Sequence, residues 1–170
     1  MNLTQFQTLS KRTMPFGGEP ANQVEFENML GNYAMGLVGE AVEVLEAKST
    51  GSSDIEKELG DVSHYAVGVA LLAKFELNFR LNKPLSNIVN ELMIACKNIS
   101  EVAKKQIYHR HDEKFMVDDL ITIFNCLYTL GEYYADSYEQ VMQRNIDKLK
   151  KRYPDKFSVE DSIKRVDVNG

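Results

Sequence analysis

Apolar residues recur at intervals of three and four along most of this chain, the spacing that keeps one face of an α-helix apolar. Between Asn22 and Lys48 the stripe is Leu30, Tyr33, Leu37, Ala41, Val44 and Ala47, which predicts a long helix with Asn22 and Glu25 as a capping pair. The polar run at 49–53 breaks that stripe. Ser53 and Glu56 then have capping-box spacing, and a second helix is expected over 54–77. Asn82 and Pro84 mark the start of a third, carried by Leu85, Ile88, Leu92, Ala95, Ile99 and Val102 to about Gln106. After a polar turn at 108–112, a fourth carries Phe115, Leu120, Ile123, Phe124, Leu127 and Leu130. The fifth begins near Ser137, with Gln140 completing a capping box, and ends before Pro154, which cannot continue it.

No segment alternates in the manner of a strand, so the expected fold is all-α: an antiparallel bundle of about five helices around one core. The domain is placed at 1–157, with 158–170 as a loose polar tail. A degenerate tandem duplication of a helix pair is also legible. Glu43 aligns with Glu101, and Asp61-Val62 with Asp119-Leu120; Glu40 then becomes Asn98 and Glu58 becomes Met116. Chance likeness between amphipathic helices explains so few identities equally well.

Composition narrows the function. The chain is 44% hydrophobic and 26% charged with a net charge of −5, which argues against binding a nucleic-acid polymer through its phosphates. Cys96 and Cys126 lie in separate apolar segments and are expected as buried thiols rather than zinc ligands. The opening residues lack the apolar run of a signal peptide, and no stretch of about 18 apolar residues occurs, so a cytoplasmic protein without a membrane anchor is expected.

Against this background four acids stand out. Glu40 and Glu43 are three residues apart on one helix, Glu58 and Asp61 on the next, and each pair shares a helix face on the apolar side. Gathering carboxylates away from water drives them to take up protons unless a cation compensates. Oxygen-only ligands in this number suit Mg²⁺ or Mn²⁺, ions that work with phosphate substrates and activate water. The bland alternative is a solvated acidic face paired with Lys48, Lys57 or Lys74. A di-iron site would need Glu-x-x-His motifs on two helices, and only Asp61-Val-Ser-His64 approximates one. Positive charge concentrates in the last helix, where Asn145, Lys148 and Arg152 share a face able to grip a polyphosphate.

Three stretches together resemble the MazG-like nucleoside triphosphate pyrophosphohydrolases: Gly36-Leu-Val-Gly-Glu40-Ala-Val-Glu43, Glu58-Leu-Gly-Asp61-Val62, and the segment from Asn145 through Lys148, Arg152, Tyr153 and Pro154 to Phe157. Lys11-Arg12-Thr13 in the amino-terminal lead extends the likeness, and the stretch from about Phe79 to Tyr134 matches poorly. The resemblance implies an all-α enzyme that cleaves a nucleoside triphosphate between the α and β phosphates. Glu40, Glu43, Glu58 and Asp61 would be Mg²⁺ ligands, and Asn145, Lys148 and Arg152 would contact substrate. It also implies a homodimer or higher oligomer. Where some relatives carry a further Glu before the first motif, this chain has Gly39, so Glu40 is the first choice for the residue that activates water, with Glu43 beside it. Tyr33, Tyr65, Phe124 and Asn125 are conceivable lining residues for the base. The alternative is a helical interaction or regulatory protein that keeps the bundle without catalysis.

Overall fold

The computed structural model describes residues 1–83, 87–111 and 117–169, and among these the chain is all-α. Pro84 and Leu85 at the expected start of the third helix, and Asp112, Phe115 and Met116 before the fourth, lie outside the described residues.

Two helices precede the main bundle or open it. Helix α1 (Leu3–Lys11) is followed by a 3-10 turn (Pro15–Gly18), and α2 (Gln23–Thr50) is the longest element. Asn22 Oδ1 accepts the Glu25 N–H at 3.0 Å, while the Glu25 carboxylate turns back to the Ala21 N–H. Gly51, at φ 66°, ends α2 with a left-handed residue that glycine adopts without steric cost.

Helix α3 (Ile55–Leu72) follows after a short polar link and lies against α2. Its start differs from the expected capping box. Asp54 stands at the cap with no side-chain cap bond, and Glu56 is instead drawn to Arg144. It also stops five residues early, for a reason that lies in α1. The Gln7 side chain donates to the Phe75 carbonyl at 2.8 Å and accepts from the Leu77 N–H at 3.0 Å, taking up backbone groups that a longer helix would have used.

Helices α4 (Ile88–His109) and α5 (Val117–Tyr134) form the second pair; α4 packs on α2 and α5 packs on α3, so the four close a bundle. Leu37, Leu59, Ile99 and Phe124 are fully buried between them, each burial being worth about 1.5–3 kcal/mol. Asn98 on α4 donates to Asp119 on α5 at 3.0 Å, joining the two residues that the duplication aligns with Glu40 and Asp61.

Helix α6 (Tyr138–Arg152) crosses α3 and α5. Ser137 Oγ accepts the Gln140 N–H at 3.3 Å, but the Gln140 side chain goes to Arg144, so only half of the expected box forms. Buried Tyr138 meets Ser63 across the α3–α6 contact, its hydroxyl 2.9 Å from Ser63 Oγ. The segment expected as a loose tail is instead helical, as α7 (Val159–Lys164) and α8 (Val166–Asn169), with α8 packed on α6. Among the described residues no helix is long and apolar enough to cross a membrane.

Candidate functional site

The two acidic pairs meet where α2 and α3 run side by side. Carboxylate oxygens of Glu40, Glu43 and Glu58 all lie within 4.8 Å of one another. Their surroundings are unequal: Glu58 is buried at 5% exposure, Glu40 is half-buried, and Glu43 is exposed, contrary to the expectation that all four acids face inward. Glu43 is a rim residue that reaches the cluster from the outside. Asp61 belongs to the same neighbourhood but is turned to α6, where Asn145 Nδ2 donates to Asp61 Oδ1 at 2.9 Å and Lys148 forms an ion pair with that oxygen.

Gly60 permits that last contact. A Cβ there would lie 3.1 Å from the Asn145 side chain, so a side chain at 60 would push α6 away from Asp61. Gly36 acts similarly one turn before Glu40, since a Cβ would overlap the Tyr65 ring. Gly36 and Gly60 thus have a packing basis, letting an aromatic ring and a second helix close on the acids, whereas a Cβ at Gly39 would meet nothing.

The electrostatics follow from crowding. Burial, then the charges of Asp61, Glu43 and Glu58, raise the Glu40 carboxyl to about 7, with Lys148 opposing. Lys57 holds one Glu58 oxygen at 2.7 Å, which is the surface pairing that the bland alternative expected. The other oxygen, Oε2, is buried with no hydrogen-bond partner among the described residues. Three converging carboxylates, one with an orphaned buried oxygen, fit a hard divalent cation. No histidine belongs to this group among the described residues.

Beside the acids a cavity of about 400 Å³ opens between α2, α3, α6 and the carboxy-terminal segment. Glu40, Asp61, Lys148 and Arg152 line one part of it and Tyr33, His64 and Tyr65 another. Tyr33 OH and His64 Nδ1 are buried without partners among the described residues. Burial lowers the His64 imidazole to about 4; Lys148 and Arg152 add to this against Asp61, so the ring is neutral at pH 7. Of the residues considered for a base, Tyr33 and Tyr65 line the cavity; Phe124 is core, and Asn125 caps the backbone of Asn82 at 2.8 Å.

Of the basic helix face, Lys148 and Arg152 line the cavity and Asn145 stands behind Asp61, and none of the three is idle. Asn145 and Lys148 hold Asp61, and Arg152 is held by Asp167 from α8. The amino-terminal lead joins the same corner, where Arg12 Nη1 donates to the carbonyls of Pro154 and Asp155, both at 2.7 Å. His64 drew notice in the sequence only for its spacing from Asp61, and its place in the cavity was not foreseen. Asp167 was not foreseen either, since an ion pair from a polar tail has no spacing signal. No family model matches the chain, no curated protein matches it, and no solved structure does.

Proposed function

We propose that this chain is a MazG-like pyrophosphohydrolase, which cleaves a nucleoside triphosphate between the α and β phosphates to give a monophosphate and pyrophosphate. The observation that carries this reading is the convergence of Glu40, Glu43 and Glu58 beside an Asp61 bridged to Asn145 and Lys148, at the edge of a cavity with nucleoside-sized volume.

Glu40, Glu43, Glu58 and Asp61 would hold Mg²⁺ or Mn²⁺. Such an ion neutralises phosphate charge and makes bound water more acidic. Glu40, a partly buried carboxylate at the cavity edge, would take the proton from the attacking water. Lys148 would neutralise charge on the departing pyrophosphate, and Arg152 would offer its planar fork to phosphate oxygens. Tyr33 OH and neutral His64 Nδ1 supply hydrogen bonds inside the cavity for the polar edge of a base, and the Tyr65 ring supplies an apolar wall. A homo-oligomer and a cytoplasmic setting belong to the same proposal.

Pyrophosphate release from a panel of common and damaged ribo- and deoxyribonucleoside triphosphates, plus guanosine tetraphosphate, tests the reading. The expected result is Mg²⁺-dependent turnover of at least one of them, lost in Glu43→Gln and Glu58→Gln. Turnover no greater than in Glu43→Gln across the whole panel would defeat it and favour an interaction protein.

A further inference from the structure

Arg152 is the one member of the basic face whose partner comes from outside the bundle. Its Nε donates to Asp167 Oδ1 at 2.7 Å and its Nη2 to Asp167 Oδ2 at 2.5 Å, a two-pronged pairing that fills the guanidinium fork. The Arg152 side chain is 17% exposed and that of Asp167 only 1%, so the pair is shielded from water. A carboxylate held this way offers the fork the same pair of oxygens that a phosphate would.

Apart from the packing of α8 on α6, the described side chains of the segment bearing Asp167 give it little apolar anchorage. Helix α7 buries no residue, and its apolar side chains point outward, with Val159 at 67% and Ile163 at 77% exposure. Val166 is exposed as well. Just upstream the chain is anchored: the Phe157 N–H donates to the Arg12 carbonyl at 3.1 Å, and Arg12 grips the carbonyls of Pro154 and Asp155. From Ser158 onward apolar burial gives way to the charge pair, while Ser162 and Arg165 lie along the cavity rim.

From this geometry we infer that the carboxy-terminal segment is an internal competitor of the anionic ligand, with Asp167 occupying Arg152 until a phosphate displaces it. The inference rests on the reading of Arg152 as a phosphate contact. Among the described side chains, displacement costs the segment one ion pair and little hydrophobic burial, so an incoming oxyanion can swing residues 158–169 away from the cavity mouth as a unit. Arg165, whose position in the link between α7 and α8 carries it along, leaves the rim in the same motion.

Inorganic pyrophosphate with Mg²⁺ is the probe, titrated calorimetrically into the full chain and into Asp167→Asn. Removing the competing charge is expected to tighten pyrophosphate binding roughly tenfold. A second variant truncated after Arg165 is expected to match it, which covers the case in which the amide introduced by Asp167→Asn keeps a hydrogen bond to Arg152. In the unaltered chain, pyrophosphate is expected to speed tryptic cleavage after Lys164 and Arg165. Equal or weaker binding by both variants, or no binding by any of the three proteins, overturns the inference. Tighter binding by the variants with no triphosphate hydrolysed would uphold the competition while removing the enzymatic reading.

Discussion

Replacing Glu40 by Gln should change how the stability of the metal-free protein depends on pH. The Glu40 carboxyl rises from an ordinary 4.5 to about 7, through burial first and then through its acidic neighbours. A folded-state value above the unfolded one means that the native protein holds a proton which the unfolded chain has released. The contribution is therefore present in full below pH 4.5, declines through the window up to about 7, and is gone above it. At about 1.4 kcal/mol per pH unit the gap corresponds to about 3 kcal/mol. Water around a half-buried carboxylate reduces that to about 1.5 kcal/mol. His64 works in the opposite sense. Its imidazole falls from 6.5 to about 4, so the unfolded chain takes up a proton that the native state refuses, and stability climbs with pH through that range. The two effects overlap, and the unaltered protein shows a flatter curve than either alone. Urea unfolding followed by circular dichroism from pH 5 to pH 8, in the presence of a chelator, separates them. The stability of Glu40→Gln relative to the unaltered chain should increase by about 1 kcal/mol across that range, the remainder falling below pH 5. A difference that stays level, or that moves toward the unaltered chain, refutes the crowding of carboxylates around Glu40.

Mg²⁺ should raise the melting temperature of the unaltered protein, by an amount equivalent to about 2.7 kcal/mol at a hundredfold excess over its dissociation constant. Thermal scans of Glu58→Gln should show that gain abolished, because the buried orphaned oxygen is the one lost. Gly36→Ala should destabilise the fold by about 1–3 kcal/mol in urea titrations, since its methyl group would overlap Tyr65; an unchanged midpoint would contradict the close α2–α3 approach. Tyr138→Phe removes the hydroxyl 2.9 Å from Ser63 Oγ and should cost about 1 kcal/mol by the same measurement, because Ser63 still donates to the Leu59 carbonyl.

The bundle was legible where helical periodicity is long. Helices α2, α4, α5 and α6 carry apolar stripes over four or more turns, and Pro154 stops α6 where steric exclusion requires. The misplaced ends have tertiary causes. Gln7 takes the backbone of Phe75 and Leu77 out of α3 from 70 residues away in sequence, and Arg144 claims Glu56 from a capping role. Neither leaves a local trace. Helix α1 had one, the reciprocal Asn2–Gln5 capping box, but its nine residues are too few for a long stripe and bury only Leu3 and Phe6 as apolar side chains. At the site, spacing alone was enough to bring Glu40, Glu43 and Glu58 together, because residues three apart share a face and a short link forces adjacent helices to pack. Spacing could not show that Glu43 lies at the rim, that Asp61 turns to α6, or that Arg152 already has a partner, since each depends on the angle between helices.

The hydrogen bond between Asn98 and Asp119 has a consequence for the molecule as a whole. At the aligned place in the other hairpin, Glu40 and Asp61 repel each other, whereas here an amide meets one oxygen of a single acid, Asp119, whose other oxygen is buried with no hydrogen-bond partner among the described residues. The crowding of several carboxylates thus belongs to α2 and α3, while α4 and α5 meet at one acid and one amide. Amide exchange in the metal-free protein should then be lopsided, fastest near Glu40 and Glu58 and slowest around Ile99 and Leu127. A chain assembled from two alike hairpins would in this way keep one as ballast and set the other under load.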